Sequence, residues 1–303
     1  MIAIDVMGGD HAPLVVLEGA VQAAKKGIPV RLHGPEDVII PWLATHVPTW
    51  QNLPITISAA TEIIGMDEEP VFAVRKKQQS SLVNAVKDVA NGMCRAALSA
   101  GNSGAMMAAS ALIIGRTAGI ERPAIAGYVP TKKGMALALD LGANTECRPH
   151  YLVQFAHLGA AHARDVMGIE NPRIGLLSNG HEDSKGSQLS KEAFLLLKQE
   201  ALLNFVGNIE PYDIFEHKVD VVVTDGFSGN VLLKTMEAVT ALITQWYPEI
   251  ATDLHSRMGH TQFGGALLLG VNGTSIVCHG GADAKTLEQA ITFAWDMTSS
   301  KKN

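Results

Sequence analysis

The chain has 303 residues, of which 47% are hydrophobic and 5% aromatic, with 29 glycines and a formal net charge of −6. This size and apolar content call for one large α/β unit or two closely joined halves around a sizeable core. The acidic balance and the scarcity of aromatic rings exclude a base-stacking nucleic-acid surface and leave room only for local basic patches.

Ile2-Ala3-Ile4-Asp5-Val6 reads as a buried strand, followed by the loop Met7-Gly8-Gly9-Asp10-His11-Ala12. A helix follows, with Pro13 near its first turn and Gly27 at its end. Val30-Arg31-Leu32 and Ile55-Thr56-Ile57 are further strands, separated by a helix over residues 36–46 that Pro41 interrupts. This βαβ alternation predicts a parallel sheet. Residues 62–79 are charged and run into Arg75-Lys76-Lys77, which by itself reads as a solvated face. Ser80 or Ser81 supplies the N-cap of a helix over residues 82–91, whose apolar stripe is Leu82, Val83, Val86, Val89 and Ala90.

Residues 94–98 form a short buried strand, and residues 103–116 carry Ala, Met, Leu and Ile at helical spacing. Between them lies Gly101-Asn102-Ser103-Gly104, a loop of little bulk at a helix start. Glycines let a backbone approach a ligand, and a helix start offers unpaired N–H groups to an anion. Any α/β corner can look like this, so the motif gains weight from a second copy. Val219 to Thr224 is a strand, Asp225-Gly226-Phe227-Ser228-Gly229-Asn230 a tight loop, and a helix begins at Val231.

Residues 124–129 and 135–141 are two strands joined by Pro130-Thr131-Lys132-Lys133-Gly134, a hairpin that breaks the parallel pattern and marks the junction of two halves near residues 124–144. The second strand runs into Asp140-Leu141-Gly142-Ala143-Asn144, and Thr145 is expected to cap a long helix reaching Gly168. His157 and His162 on that helix stand five apart and do not share a face as a zinc pair would. The second half repeats the alternation: a strand over 173–177, the polar loop from Ser178 to Gly186, a helix over 188–200, and a strand over 203–206 ending in Gly207-Asn208-Ile209-Glu210. The helix from Val231 stops at Pro248, and a strand over 275–278 precedes a final helix over 283–298. Cys94, Cys147 and Cys278 are scattered without Cys-x-x-Cys and read as reduced structural thiols. No uncharged apolar run reaches the roughly 18 residues of a membrane span, and no secretion signal is expected.

Polar residues gather at strand ends, where open α/β sheets bind ligands. Together they imply a wide, polar, Gly-lined cleft, although each one alone is an ordinary turn former. Phosphate-loop, nucleophile-elbow and dinucleotide fingerprints are absent.

Seven blocks in order carry a resemblance. They are Ile4-Asp5-Val6-Met7-Gly8-Gly9-Asp10; Ser99-Ala100-Gly101-Asn102-Ser103-Gly104-Ala105; Leu139-Asp140-Leu141-Gly142-Ala143-Asn144; Lys185-Gly186; Gly207-Asn208-Ile209-Glu210; Asp225-Gly226-Phe227-Ser228-Gly229-Asn230-Val231 with Lys234-Thr235; and Gly264-Gly265-Ala266-Leu267-Leu268-Leu269-Gly270. Over nearly its whole length the chain resembles the PlsX family of bacterial phosphate acyltransferases (acyl-ACP:phosphate transacylases). The resemblance implies a single α/β catalytic unit over residues 1–303: a largely parallel sheet flanked by helices, isocitrate dehydrogenase-like and related to phosphotransacetylase, with an antiparallel hairpin near the middle. It implies a cytoplasmic homodimer that converts acyl-ACP and inorganic phosphate to acyl phosphate and free acyl carrier protein. The product is handed to a membrane glycerol-3-phosphate acyltransferase for phospholipid synthesis. Two departures stand out. Gln78-Gln79 precedes the serine pair where relatives carry an acidic residue. The segment from Trp246 to Phe263 is shorter than the basic, apolar insertion that relatives use at the membrane, so peripheral membrane association is expected to be weak.

For this chemistry phosphate is already an anionic nucleophile and a thiolate leaves readily, so neither metal nor cofactor is required. The site has to hold phosphate, align it and stabilise the oxyanion. Phosphate binding falls to Asn102, Ser103 and Gly104, and to Ser228, Gly229 and Asn230. In an open loop, the side chains of Asn102 and Ser103 are expected to face the anion. Lys185 is the candidate for charge neutralisation, with Asp225 and Asn208 orienting neighbours; Asp10, Ser81, Asp140 and Asn144 are further cleft candidates. The helix from Val231 to Trp246 could line an apolar slot for the acyl chain, and Arg75-Lys76-Lys77 and Lys132-Lys133 could meet an acidic carrier protein. The nearest rival reading is a phosphotransacetylase acting on acyl-CoA; a dehydrogenase would need a metal-binding acidic cluster, for which Asp220 and Asp225 are too few, and the clustered strand-end polar residues count against a non-enzymatic scaffold.

Overall fold

The computed structural model describes residues 1–250 and 264–299. Its strands are β1 (Ile2–Asp5), β2 (Val30–Gly34), β3 (Ile55–Ala59), β4 (Ala96–Ser99), β5 (Ala124–Thr131), β6 (Gly134–Leu139), β7 (Arg173–Leu177), β8 (Asn204–Ile209), β9 (Val221–Val223), β10 (Ala266–Leu269) and β11 (Thr274–Val277). Its helices are α1 (Leu14–Lys25), α2 (Glu36–His46), α3 (Pro70–Lys76), α4 (Ser81–Ala90), α5 (Ser103–Ala109), α6 (Pro149–Asp165), α7 (Gln188–Leu197), α8 (Pro211–Phe215), α9 (Gly226–Trp246) and α10 (Ala284–Ser299). The chain divides into two compact units, one of residues 1–118 with 261–303 and one of residues 119–260.

In the first unit the strand order is β3-β2-β1-β4-β11-β10. All neighbours run parallel except β10 and β11, which are antiparallel. All four β1 residues are buried, which is why Ile2 to Asp5 reads as a continuous apolar run and not an alternation. Residues 62–79 contain α3. Glu69 caps it by accepting the N–H groups of Val71 and Phe72, and Pro70 stands in its first turn. Of the two candidate caps for α4, Ser80 does the work, its Oγ accepting the Val83 N–H at 3.3 Å. The helix expected over 103–116 is α5 followed by a π-helical turn, Ser110–Ile114, that ends at Gly115 with φ +90°.

In the second unit the order is β5-β6-β9-β7-β8, with β5 and β6 the expected antiparallel hairpin and the remaining pairs parallel. The register between β7 and β8 steps over Val206, pairing Gly175 with Gly207 and Leu176 with Asn208. The strand expected to stop at Val206 therefore continues to Ile209 through a bulge. Thr145 does not cap α6; that helix starts at Pro149, with Arg148 at its N-cap. Its histidines are spoken for: His150 faces Glu121, His157 faces Glu200, and the His162 ring meets the Tyr128 hydroxyl at 2.6 Å. Among the described residues, no helix is long and apolar enough to cross a membrane. The segment from Trp246 to Phe263, whose shortness sets the expectation of weak membrane association, lies outside the described residues beyond Ile250.

Candidate functional site

In the first unit, β1 and β4 are neighbours and deliver their C-terminal loops side by side. Asp5 is buried at the end of β1 and accepts the Ser99 hydroxyl at 2.7 Å and the Met7 N–H at 3.2 Å. Burial pushes its carboxyl above the ordinary range, and hydrogen bonds from Ser81, Ser99 and Met7 pull the other way. Ser81, one of the expected cleft residues, is thus buried and bonded to Asp5. Asp10 is exposed, and its N–H donates to the Gly280 carbonyl at 2.8 Å.

Asn102 departs from expectation. It is 7% exposed, not open to solvent. Its Oδ1 accepts the Ala105 N–H at 2.9 Å and so caps α5. Its Nδ2 donates to the carbonyls of Gly65, Met66 and Glu68 at 3.3, 3.2 and 3.0 Å. The amide is committed to the protein on both sides, tying residues 65–68 down over the helix start. Ser103 beside it is exposed. Gly104 serves packing, since a Cβ there would lie 2.6 Å from Pro70 Cγ at the start of α3.

In the second unit the loops after β6 and β9 interlock. Asp140 is buried and gathers its own loop: Oδ1 accepts the N–H groups of Ile125, Gly142 and Ala143, and Oδ2 accepts the main-chain and side-chain N–H groups of Asn144. Burial holds this carboxyl above its usual range, opposed by those bonds. Asn144 Nδ2 also reaches the Pro123 carbonyl at 2.8 Å, and its own carbonyl accepts the Gly226 N–H at 2.8 Å. A Cβ at Gly229 would stand 1.9 Å from the Asp140 carbonyl oxygen, so only glycine lets these loops meet. Asp140, Asn144, Asp225, Ser228, Gly229 and Asn230 are thereby brought together.

The expected tight loop from Asp225 to Asn230 is the first turn of α9, which starts at Gly226 and not at Val231. Asp225 is the cap: Oδ1 accepts the Ser228 N–H at 2.8 Å and Oδ2 the Ser228 hydroxyl at 2.9 Å. Ser228 can offer its proton to an anion only by leaving Asp225. Asn230 is exposed and flanks Gly142. Asp220 is spent on Arg173, whose main-chain N–H, Nε and Nη2 reach it at 2.8, 2.9 and 2.8 Å.

At the ends of β7 and β8, Asn208 is buried with Nδ2 on the Glu182 carbonyl at 2.9 Å, while its Oδ1 has no partner among the described residues. The Ser178 Oγ at the end of the adjoining strand is also buried without a partner. Over them runs the loop that carries Lys185, whose side chain is exposed and packs on Gly180. His181 in the same loop meets Asp213 at 2.6 Å, a contact illegible in the sequence because the two are 32 residues apart. Burial works against the Asp213 charge, but Lys218, the Glu210 N–H and His181 outweigh it and hold the carboxyl at about 2.

Between this loop, α8 and α9 lies a groove of about 780 Å³. Its polar end is formed by Ser178, Asn179, Ser187, Ser190 and Ser228, and its α9 side by Leu232, Met236, Val239 and Ile243 with Thr235 and Thr240, facing Pro211 and Phe215; none of the described residues that line it is charged. Cys147 lies under the same turn, its Sγ on the Asn144 carbonyl at 3.3 Å, with burial pushing the thiol up to about 11.

Comparison with known proteins gives the following. The family described as "Fatty acid synthesis protein" matches residues 1–303. A phosphate acyltransferase of Trichlorobacter lovleyi is 45% identical, the match covering 99% of this chain and 91% of the relative. One from Heliobacterium modesticaldum is 44% identical over 97% of this chain and 92% of its own length. Among solved structures, a phosphotransacetylase from Streptococcus pyogenes superposes with a TM-score of 0.65 at 18% identity, covering 97% of this chain and 93% of that one. A 4-hydroxythreonine-4-phosphate dehydrogenase from Klebsiella pneumoniae does so with a TM-score of 0.60 at 15% identity, covering 98% and 99%. The likeness to the two solved structures is one of fold.

Proposed function

We propose, from the premise that the chain belongs to the fatty acid synthesis protein family and is a phosphate acyltransferase, that its acyl donor is the thioester of an acyl carrier protein and its acceptor inorganic phosphate. The observation that carries this reading is the match to phosphate acyltransferases along the whole chain, with the candidate residues at strand ends or in the turns that follow them. An oxygen of hydrogen phosphate attacks the thioester carbonyl, the C–S bond breaks, and the proton brought by the phosphate ends on the departing thiol. Nothing has to be deprotonated in advance, so the protein's contribution is alignment and charge. Lys185 supplies the positive charge. The Ser178 hydroxyl can donate to the bound substrate and Asn208 Oδ1 can accept the P–OH of hydrogen phosphate, because such buried atoms are costly to leave unpaired. Asp225 fixes Ser228, and Asp140 fixes Asn144; these carboxylates position neighbours and stay off the reacting atoms. Ser103 and the main chain of Gly104 are the contribution of the α5 turn to anion binding, while Asn102 holds that turn in shape.

The working form is proposed to be a homodimer, for which the exposed apolar side chains Leu242 and Trp246 on α9 suit a second copy. The product acyl phosphate is proposed to pass to a membrane glycerol-3-phosphate acyltransferase, and the enzyme to work in the cytoplasm with weak membrane association. The deciding assay measures thioester loss from palmitoyl carrier protein and from palmitoyl-CoA, each with and without phosphate. Phosphate-dependent loss with the carrier protein strongly preferred is expected; equal kcat/KM for the two donors would remove the carrier assignment.

A further inference from the structure

We infer that the groove beside α9 holds the acyl chain of the thioester, laid along the helix with its carbonyl at the Ser228 end and its methyl end near Ile243. This rests on the proposed acyl transfer and adds which part of the protein reads the chain. The groove is continuous with the capped turn of Asp225 and Ser228, and its other wall includes Ser178, whose buried Oγ lacks a partner. Most polar groups thus cluster at one end, while along α9 Leu232, Met236, Val239 and Ile243 face Phe215, with Thr235, whose hydroxyl is turned onto the Val231 carbonyl, and Thr240 between them. These α9 positions recur near four-residue spacing, so they line one side of the helix. From Ser228 to Ile243 the helix rises roughly 22 Å at about 1.5 Å per residue, which suits a long extended acyl chain. Among the described residues that line the groove none is charged, so they offer a charged ligand no counter-ion, whereas an uncharged chain with one polar end finds a match at each end. Removing that chain from water supplies binding energy remote from the reacting carbonyl, which enzymes use to position it.

Val239 is half-exposed, so Val239→Trp can narrow the groove midway without opening a core. The measurement is the ratio of kcat/KM for palmitoyl to that for octanoyl carrier protein, in wild type and V239W. The inference expects this ratio to fall at least about tenfold, the loss of roughly two buried methylenes. An unchanged ratio overturns it, and an unchanged ratio with an altered sedimentation coefficient assigns the groove to a second copy of the chain instead. Wild-type protein gives an arm that needs no variant: a palmitoyl thioester with a diazirine at its methyl end should crosslink to peptides from α9 and α8. Crosslinks confined to other peptides overturn the inference even if V239W fails to fold. A wild type that turns over neither thioester with phosphate removes the proposed reaction, while the crosslink still tests the groove.

Discussion

Replacing Asn102 by Asp tests what holds the first glycine loop. Aspartate caps a helix as well as asparagine, so the bond from the Ala105 N–H survives. What disappears is the pair of N–H donors that the three carbonyls of Gly65, Met66 and Glu68 share, and a carboxylate oxygen takes their place at about the same contact distance, near 3 Å. Two lost bonds are worth about 1 kcal/mol each, and stranding buried carbonyls against a charge adds a similar amount, so a loss of about 3–4 kcal/mol follows. At about 2–4 °C per kcal/mol for a chain of this order, N102D should melt roughly 6–16 °C below wild type. The introduced carboxyl would have its pKa raised by the fold, so its deficit relative to wild type should shrink as pH falls and grow as it rises. Thermal melts of both proteins across pH, beside the phosphate dependence of Ser103→Ala, separate structure from ligand binding. If N102D melts within about 2 °C of wild type, the amide is not what ties down residues 65–68, and the reasoning fails.

Other outcomes follow from the same geometry. Lys185→Ala should raise the KM for phosphate about tenfold, in the range of one lost charge-assisted bond, with an unchanged melting curve because the side chain is exposed; a wild-type KM would end its assignment. His33 is buried with Nε2 on Asp88, which Arg31 also contacts, and burial, opposed by Asp88 and helped by Arg31, brings its pKa from 6.5 to about 4. The unfolded chain therefore binds the extra proton first as pH drops, so stability should fall through the window from 6.5 to about 4, by up to about 3 kcal/mol; a His33→Gln variant with the same pH slope would refute this. Gly229→Ala should leave most of the protein insoluble, given the 1.9 Å approach to the Asp140 carbonyl; a wild-type melting curve would show that the loops can part. Burial raises Cys94 and Cys147 to about 11 and Cys278 to about 12, so iodoacetamide at neutral pH should label the native protein slowly and the urea-unfolded protein fast.

The parallel strands and the hairpin were legible because they rest on local patterns: continuous apolar runs such as Ile2 to Val6, and two short runs around Lys132-Lys133-Gly134. Helix starts were less so. The first turn of α9 reads as loop because Gly226, Ser228, Gly229 and Asn230 have poor helix propensity, and what makes it helical is the Asp225 cap together with the Gly226 bond to Asn144. The π-helical turn after α5 and the bulge at Val206 likewise come from packing and pairing partners, which no single stretch contains.

The candidate site shows the same division more sharply. Glycine-rich loops after strands read as cradles for an anion because bare backbone could approach a ligand there. In the structure, the space at Gly104 is taken by Pro70 and the space at Gly229 by the Asp140 carbonyl. Asn102 and Asp225, the residues whose chemistry drew attention, use their side chains on the protein itself. A sequence displays which groups could bind, but not which bonds have already been made. Only the folded chain reveals that Asn208 Oδ1 and Ser178 Oγ are left unsatisfied among the described residues: Asn208 stands out in the sequence through its Gly-Asn-Ile-Glu block, whereas Ser178 is one serine of a polar loop. Substitutions at the conspicuous glycines and at Asn102 should therefore act first on stability, and those at Lys185, Asn208 and Ser178 first on substrate.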